Sequence, residues 1–249
     1  MFVDTHCHLL REYYDDIKLV IDEAVDQNVK YLISCGCSTK DIEESLEYLD
    51  KYQPLYLSIG YHPDEIDNYD LEYLKSNLKK EKVVALGEIG LDYHYVDSEE
   101  EKEKQKKLFK EQLDIATDLN IPVVIHTREA TKDTIDILKK YSLKGVIHCF
   151  SGSYETALEY IKLGYKLGIG GVVTFKNSKL GEVISKLSID DIVLETDSPY
   201  LSPDPYRGKQ NSPKNIPLIA AKIAKIKDVS ILEVMEKTTK NVLETFHLF

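Results

Sequence analysis

Short apolar runs alternate along this chain with longer stretches in which apolar positions recur every three or four residues. The apolar runs fall at 2–5, 30–34, 55–59, 83–86, 123–125, 145–148, 166–169 and 192–195. Several are continuously apolar, the pattern of parallel strands covered on both faces. Between them, helical periodicity marks 17–27, 42–51, 71–78, 99–119, 131–141 and 154–163, with two closing helices at 216–224 and 229–249. Strand, helix, strand repeated about eight times predicts an α/β fold, a (β/α)₈ TIM barrel, at its usual length of about 250 residues. A doubly wound open sheet is the alternative. It is disfavoured because no Gly-rich dinucleotide or phosphate loop follows the first strand. No repeat, low-complexity tract or Pro/Gly-rich linker divides the sequence, so one domain over 1–249 is expected. The lysine-rich run 102–110 reads as the solvated face of a long helix. The longest irregular stretch, 198–217, is Pro-rich and follows the last predicted strand, on the side where barrels carry their active sites.

Composition narrows the class. With 43% hydrophobic and 30% charged residues, the chain reads as an ordinary globular protein. No apolar run approaches the ~20 residues needed to span a bilayer, so no membrane association is expected. The N-terminus lacks a basic region followed by an apolar stretch, so a signal peptide is not expected and a cytoplasmic location is. Four cysteines, Cys7, Cys35, Cys37 and Cys149, are too few for a disulfide scaffold in a chain this long. Cys35 and Cys37 follow an apolar run and read as buried strand-end thiols rather than a redox or metal pair, and Cys7 should point into packing. The net charge of −11 argues against nonspecific adhesion to nucleic acid over the whole surface, but leaves room for a locally positive cleft.

The candidate chemistry gathers at strand ends. Residues two apart on a strand point the same way, so His6 and His8 aim two imidazoles at one point. Further along, the run 83–86 leads to Glu88, 123–125 to His126, 145–147 to His148, and 192–194 to Glu195 and Asp197. In a barrel these C-terminal strand ends share one rim. Four imidazoles with the carboxylates Glu88 and Asp197 exceed the three protein ligands of a typical single catalytic zinc. They suit two divalent ions about 3.5–4 Å apart, with Glu88 as the bridge. Such mixed shells accept Zn, Mg, Mn, Fe or Co.

The stretches Asp4-Thr5-His6-Cys7-His8, Gly87-Glu88-Ile89-Gly90-Leu91-Asp92-Tyr93, His126-Thr127-Arg128, His148-Cys149-Phe150-Ser151-Gly152 and Glu195-Thr196-Asp197-Ser198-Pro199-Tyr200-Leu201 resemble the TatD family of metal-dependent hydrolases. The resemblance runs to the segment 207–213 and so covers essentially the whole chain. It implies a binuclear barrel that acts as a DNase on phosphodiesters. Matched position by position, His6, His8, Glu88 and Asp197 resemble the ligands of one metal, and Glu88, His126 and His148 those of a second. Asp197 would also orient or deprotonate the attacking water. His62 resembles a family position near the substrate, as a phosphate contact or proton donor.

Arg128 stands two residues after His126, where it can grip a phosphate or pair with a neighbouring carboxylate. Asp92 and His94 can order the loop after Glu88. Arg207 and Lys209 are candidate substrate contacts in the Pro-rich loop, and His247 reads as structural. Tyr61, Tyr93, Tyr154, Tyr200 and Tyr206 are candidate stacking surfaces.

The expected function is a deoxyribonuclease that removes nucleotides from DNA ends, with nucleic acid as substrate and no obligate protein partner. The alternative is a D-aminoacyl-tRNA deacylase or another ester or amide hydrolase, because the same ligands would activate water for either bond. A noncatalytic metal-binding scaffold is the third reading, disfavoured by the complete ligand set.

Overall fold

The computed structural model describes residues 1–248. Eight strands, β1 (Phe2–Cys7), β2 (Val29–Gly36), β3 (Leu55–Ile59), β4 (Val83–Asp92), β5 (Val123–Arg128), β6 (Gly145–Ile147), β7 (Tyr165–Ile169) and β8 (Ile192–Leu194), pair in parallel and in sequence order. Around them lie α1 (Ile17–Asp26), α2 (Thr39–Leu49), α3 (Leu71–Asn77), α4 (Glu99–Leu119), α5 (Thr131–Leu138), α6 (Tyr154–Lys162), α7 (Leu180–Lys186), α8 (Ile216–Lys227) and α9 (Ile231–Phe246). The sheet curls nearly closed. Just beyond β8, Ser198 bridges in parallel to Cys7, His8 N donates to Ser198 O at 2.7 Å, and Asp197 N donates to His6 O at 2.9 Å. The predicted barrel is the observed one.

Six of the nine α-helices among the described residues start at an Asp or Ser whose side chain accepts from a backbone N–H of the first turn, as Asp16, Ser38, Asp70, Ser98, Ser153 and Ser230 do. Such caps satisfy donors the helix leaves unpaired. The lysine-rich run lies on α4, which buries Gln105, Leu108, Phe109, Gln112 and Leu113 on its opposite face. Helix α7 has no counterpart among the helices read from the pattern. Its seven residues span too few turns to set up a periodicity. The last predicted helix ends at Phe246 instead, and Phe249 lies outside the described residues.

Two apolar layers hold the barrel. The larger fills the space between strands and helices, with Leu32, Leu57, Leu86, Ile125, Ile147 and Leu167 fully buried from the sheet side. The smaller gathers Val3, Ile33, Ala85, Val124, Val146 and Val193, one from each of six strands, with Val242, Phe246 and Leu248 beneath them. This is the barrel lumen, stoppered by α9 at the end where the strands begin. Asn241 Nδ2 secures the stopper by donating to Ile189 O and Ile192 O at 2.8 and 2.7 Å. With one end plugged, polar side chains can collect only at the other.

Two bulges decide which side chains arrive there. β5 to β8 pair without a register shift, so Val124 is followed on the same face by His126, while His148 and Glu195 come directly after the ends of β6 and β8 and Asp197 lies just beyond, with a left-handed backbone. In β1 the pairing advances from Asp4–Leu32 to Cys7–Ser34, three residues against two. In β4 it advances from Leu86–Val123 to Ile89–Ile125, again three against two. Each extra residue switches the inward set to the opposite parity. Val3 hands over to His6 and His8, and Ala85 to Glu88. Because Phe246 fills the stopper at 3% exposure, Phe246→Ala is expected to cost about 3–5 kcal/mol of stability. Denaturant unfolding checks this, and a loss under about 1 kcal/mol would contradict the stopper's role.

Candidate metal centre

Glu88 lies at the middle of the mouth, 4% exposed, with its two oxygens turned to different partners. Oε2 is 3.2 Å from His6 Nε2 and 4.0 Å from His8 Nε2. Oε1 is 2.6 Å from His126 Nδ1 and 3.7 Å from His148 Nε2. Asp197 Oδ1 lies 3.8 Å from His6 Nε2, 3.5 Å from His8 Nε2 and 3.6 Å from His148 Nε2. His6 and His8 bring their Nε2 atoms within 3.2 Å of each other. Donors bound tetrahedrally to one ion at ~2.1 Å stand about 3.4 Å apart. The ligand atoms of His6, His8 and Glu88 lie close enough together to share one divalent ion, and so do those of His6, His148 and Asp197. Glu88 and His126 form a further set with His62, and Glu88 Oε1 also approaches His148. The residues fit divalent cations in both number and chemistry.

Three of the four imidazoles meet a second group at their other nitrogen. His6 Nδ1 contacts the fully buried Cys35 Sγ at 3.2 Å. His126 Nε2 is 3.1 Å from Asp92 Oδ2, and His148 Nδ1 is 3.1 Å from Glu195 Oε1. Hydrogen-bonded outer partners fix ring orientation and raise ligand basicity; His148 meets Glu195 as a close charge contact, its Nδ1 making no hydrogen bond among the described residues. The outer groups are themselves held. Gln105 of α4 accepts from Asp92 N at 3.0 Å and donates to Asp92 O at 2.8 Å, while Glu195 Oε1 accepts from Cys149 N at 2.6 Å. Gly168 makes room for Glu195, because a Cβ there would stand 2.0 Å from Oε2. Asp4, fully buried, accepts from Thr196 N at 3.0 Å and His6 N at 3.2 Å and so ties the start of the barrel to its end.

The cluster's charges are strongly coupled. Burial alone would raise the Glu88 carboxyl pKa, but the neighbouring charges of His148 and His6 and the contacts with His126 and His6 hold it well below the usual range. Burial opposes protonation of His126, yet its bonds to Asp92 and Glu88 leave its pKa raised to about 9. Burial likewise opposes a proton on His148, and the charges of Glu195, Glu88 and Asp197 outweigh it, lifting the pKa to about 10.

The remaining sequence candidates fall at graded distances. The His62 ring packs edge-on to His126 at 4.6 Å, and its donor atom groups with those of Glu88 and His126. Arg128 lines the same cleft, with its guanidinium 4.0 Å from Asp92 and stacked over Tyr95 at 5.2 Å. Asp92 does order its loop, accepting from His94 N at 2.9 Å, while also reaching His126. His94 pairs with Glu129 at 2.6 Å. Arg207 stacks on Phe175 at 4.0 Å, and Lys209 lies 5.9 Å from the Tyr206 ring. His247 forms the left-handed C-cap of α9. All four cysteines are free; Cys7 and Cys35 are buried, whereas Cys37 is only partly so, its thiol 3.8 Å from Glu88 Oε2. Tyr61 is fully buried against Gln112 and cannot stack on anything outside, and Tyr93 is tied to Asp133. Of the tyrosines proposed for stacking, Tyr200 lines this cleft.

Sequence reading missed Glu195 and Cys35 as orienting groups and Tyr95 at the rim. The signal for Glu195 was its position, two before Asp197. Glu195→Gln is expected to weaken divalent-metal binding about 10–100-fold with the fold intact, as measured by calorimetric titration; unchanged affinity would rule out the orienting role. The contacts of His126 and His148 raise their pKa to about 9 and about 10, so a bound ion would displace protons from them. Apparent metal affinity should therefore rise as pH climbs from about 7 towards about 10. Titrations in buffers of different ionisation enthalpy should record proton release.

The sequence model of the family described as TatD related DNase matches residues 3–247. The chain is 40% identical to the uncharacterized metal-dependent hydrolase YabD of Bacillus subtilis, covering 100% of both proteins. It is 35% identical to the uncharacterized metal-dependent hydrolase YcfH of Escherichia coli, covering 99% of this chain and 96% of that one. The crystal structure of YjjV, a TatD homolog from Escherichia coli, superposes with a TM-score of 0.92 at 30% identity, covering 100% of this chain and 98% of that one. Sequence, fold and the donor cluster agree, and this chain belongs to the TatD family of metal-dependent hydrolases.

Proposed function

We propose that this hydrolase is a deoxyribonuclease, cleaving phosphodiester bonds with two divalent ions held by His6, His8, Glu88, His126, His148 and Asp197. One observation supports the reading: five of the six side chains, His8, Glu88, His126, His148 and Asp197, line the floor of an open cleft of about 720 Å³ whose walls hold Arg128, Tyr13, Tyr95 and Tyr200, with His6 buried just behind them. An enclosed, mostly apolar pocket would suit a small-molecule substrate, and this cleft is neither. Bound divalent ions supply Lewis acidity and water acidified towards neutral pH.

The protein's part is placement. Glu88 holds one oxygen towards each donor set. Asp197 is kept ionised, since the charges of His148, His6 and His8 outweigh its burial. It can therefore take a proton from water attacking in the cleft. Arg128 and His62 stand beside the His126 end, where a phosphate oxygen would lie, and a guanidinium contact with phosphate is charge-assisted.

The cleft also holds Glu12, Asp41, Asp64 and Glu65, and the chain's net charge is −11. These carboxylates outnumber the cleft's cations, Lys40 and Arg128, so bound ions would supply most of the attraction for an anionic substrate. Chelation should abolish DNA binding in fluorescence anisotropy, not turnover alone. The deciding experiment compares single-stranded DNA, RNA and D-aminoacyl-tRNA with Mg, Mn and Zn. Metal-dependent nucleolysis lost in Glu88→Ala is the expected result. Deacylation without nucleolysis would overturn the assignment.

A further inference from the structure

Two large aromatic rings are left in solvent beside the centre. Tyr95 is 76% exposed and Tyr200 is 49% exposed, and both line the cleft into which His8, Glu88, His126, His148 and Asp197 open. Tyr95 follows β4 and Tyr200 follows β8. In an eight-stranded barrel in sequence order, these strands lie opposite each other. The contacts agree. The Tyr200 ring stands edge-on to His8, with centroids 6.1 Å apart. Tyr95 lies under Arg128, which neighbours Asp92, the partner of His126. One ring therefore borders the His8 end of the centre and the other the His126 end.

Neither ring hangs loose. Tyr200 donates its hydroxyl to Tyr13 Oη at 2.8 Å and meets the Tyr13 ring at 5.8 Å. Tyr95 is contacted by the Arg128 guanidinium and, edge-on, by His94 at 4.4 Å, itself fixed by Glu129. An exposed aromatic ring that its neighbours hold in place presents a flat apolar surface to a ligand. Nucleobases stack on such surfaces whatever their sequence, because every base has a π-face.

We propose that Tyr95 and Tyr200 are a pair of base-stacking platforms that bracket the centre, each taking one of the two nucleosides joined by the scissile phosphate. The inference rests on the nuclease reading and sharpens it. The chain recognises a dinucleotide unit with its bases splayed apart, a geometry that a paired duplex interior does not offer. Specificity for nucleic acid over other phosphodiesters comes from these rings, while the donors on the floor recognise the phosphate alone.

The test compares kcat/KM on a single-stranded oligonucleotide with that on bis(4-nitrophenyl) phosphate, for the metal-loaded enzyme. Tyr95→Ala and Tyr200→Ala should each lower the oligonucleotide-to-diester ratio by about tenfold or more. Tyr95→Phe and Tyr200→Phe, which keep the ring, should restore it to within about twofold. A second readout uses a dinucleotide phosphorothioate carrying 2-aminopurine on one side or the other. Binding should quench both probes in the parent enzyme, and each Ala variant should release one of them. An unchanged ratio in both Ala variants, with oligonucleotide cleavage intact, would overturn the stacking assignment and leave the nuclease reading standing. Hydrolysis of the small diester without any oligonucleotide cleavage would defeat both.

Discussion

A carboxylate buried in the mouth of a barrel is the constraint around which this structure is built. Glu88 is withdrawn from water and flanked by imidazoles on both sides, at 2.6 and 3.2 Å. A lone buried carboxylate is unfavourable unless positive charge or strong donors compensate it. Here compensation is divided between its two oxygens, which is why the cluster has two halves. Outer groups then become necessary. Asp92 and Glu195 bring further negative charge to His126 and His148, and α4 contributes Gln105 to hold Asp92 in place. The site thus extends through the sheet to the helical layer, and its precision depends on packing as much as on its ligands.

The surroundings acquire their meaning from that charge. The walls hold several carboxylates, a poor lining for an anionic polymer by themselves. Divalent cations bound on the floor would reverse the local field, because they would be the largest charges nearby. The walls then need supply only shape and stacking, and the clamped tyrosine rings have that form. Affinity and chemistry come from the same few side chains.

Much of the floor was legible in the sequence. His126, His148 and Asp197 each follow a clean apolar strand run, and the barrel topology alone sends such residues to one rim. His6 and His8 share a face by simple alternation. The outer groups were harder to see. Glu195 looks in sequence like part of a strand end, and only its 3.1 Å approach to His148 shows what it does. Cys35 read correctly as a buried thiol, but nothing in its neighbours along the chain points to His6. Tyr61 and Tyr95 show the same limit from the other side. Both follow strands, yet one is fully buried and the other 76% exposed, because loop paths rather than residue type decide which ring faces solvent.

The sequence by itself determined the alternation of elements, hence the barrel, and the kind of chemistry its rim would carry. Local periodicity and residue type suffice for both, since they act over a few residues. Only the tertiary structure decided which side chains face the centre. In β1 and β4 an unbroken alternation from the lumen residues Val3 and Ala85 would have pointed odd-numbered positions inward. The bulges, set by pairing with neighbouring strands, turned His6, His8 and Glu88 inward instead. Register is a property of two strands together, and no single stretch of sequence contains it.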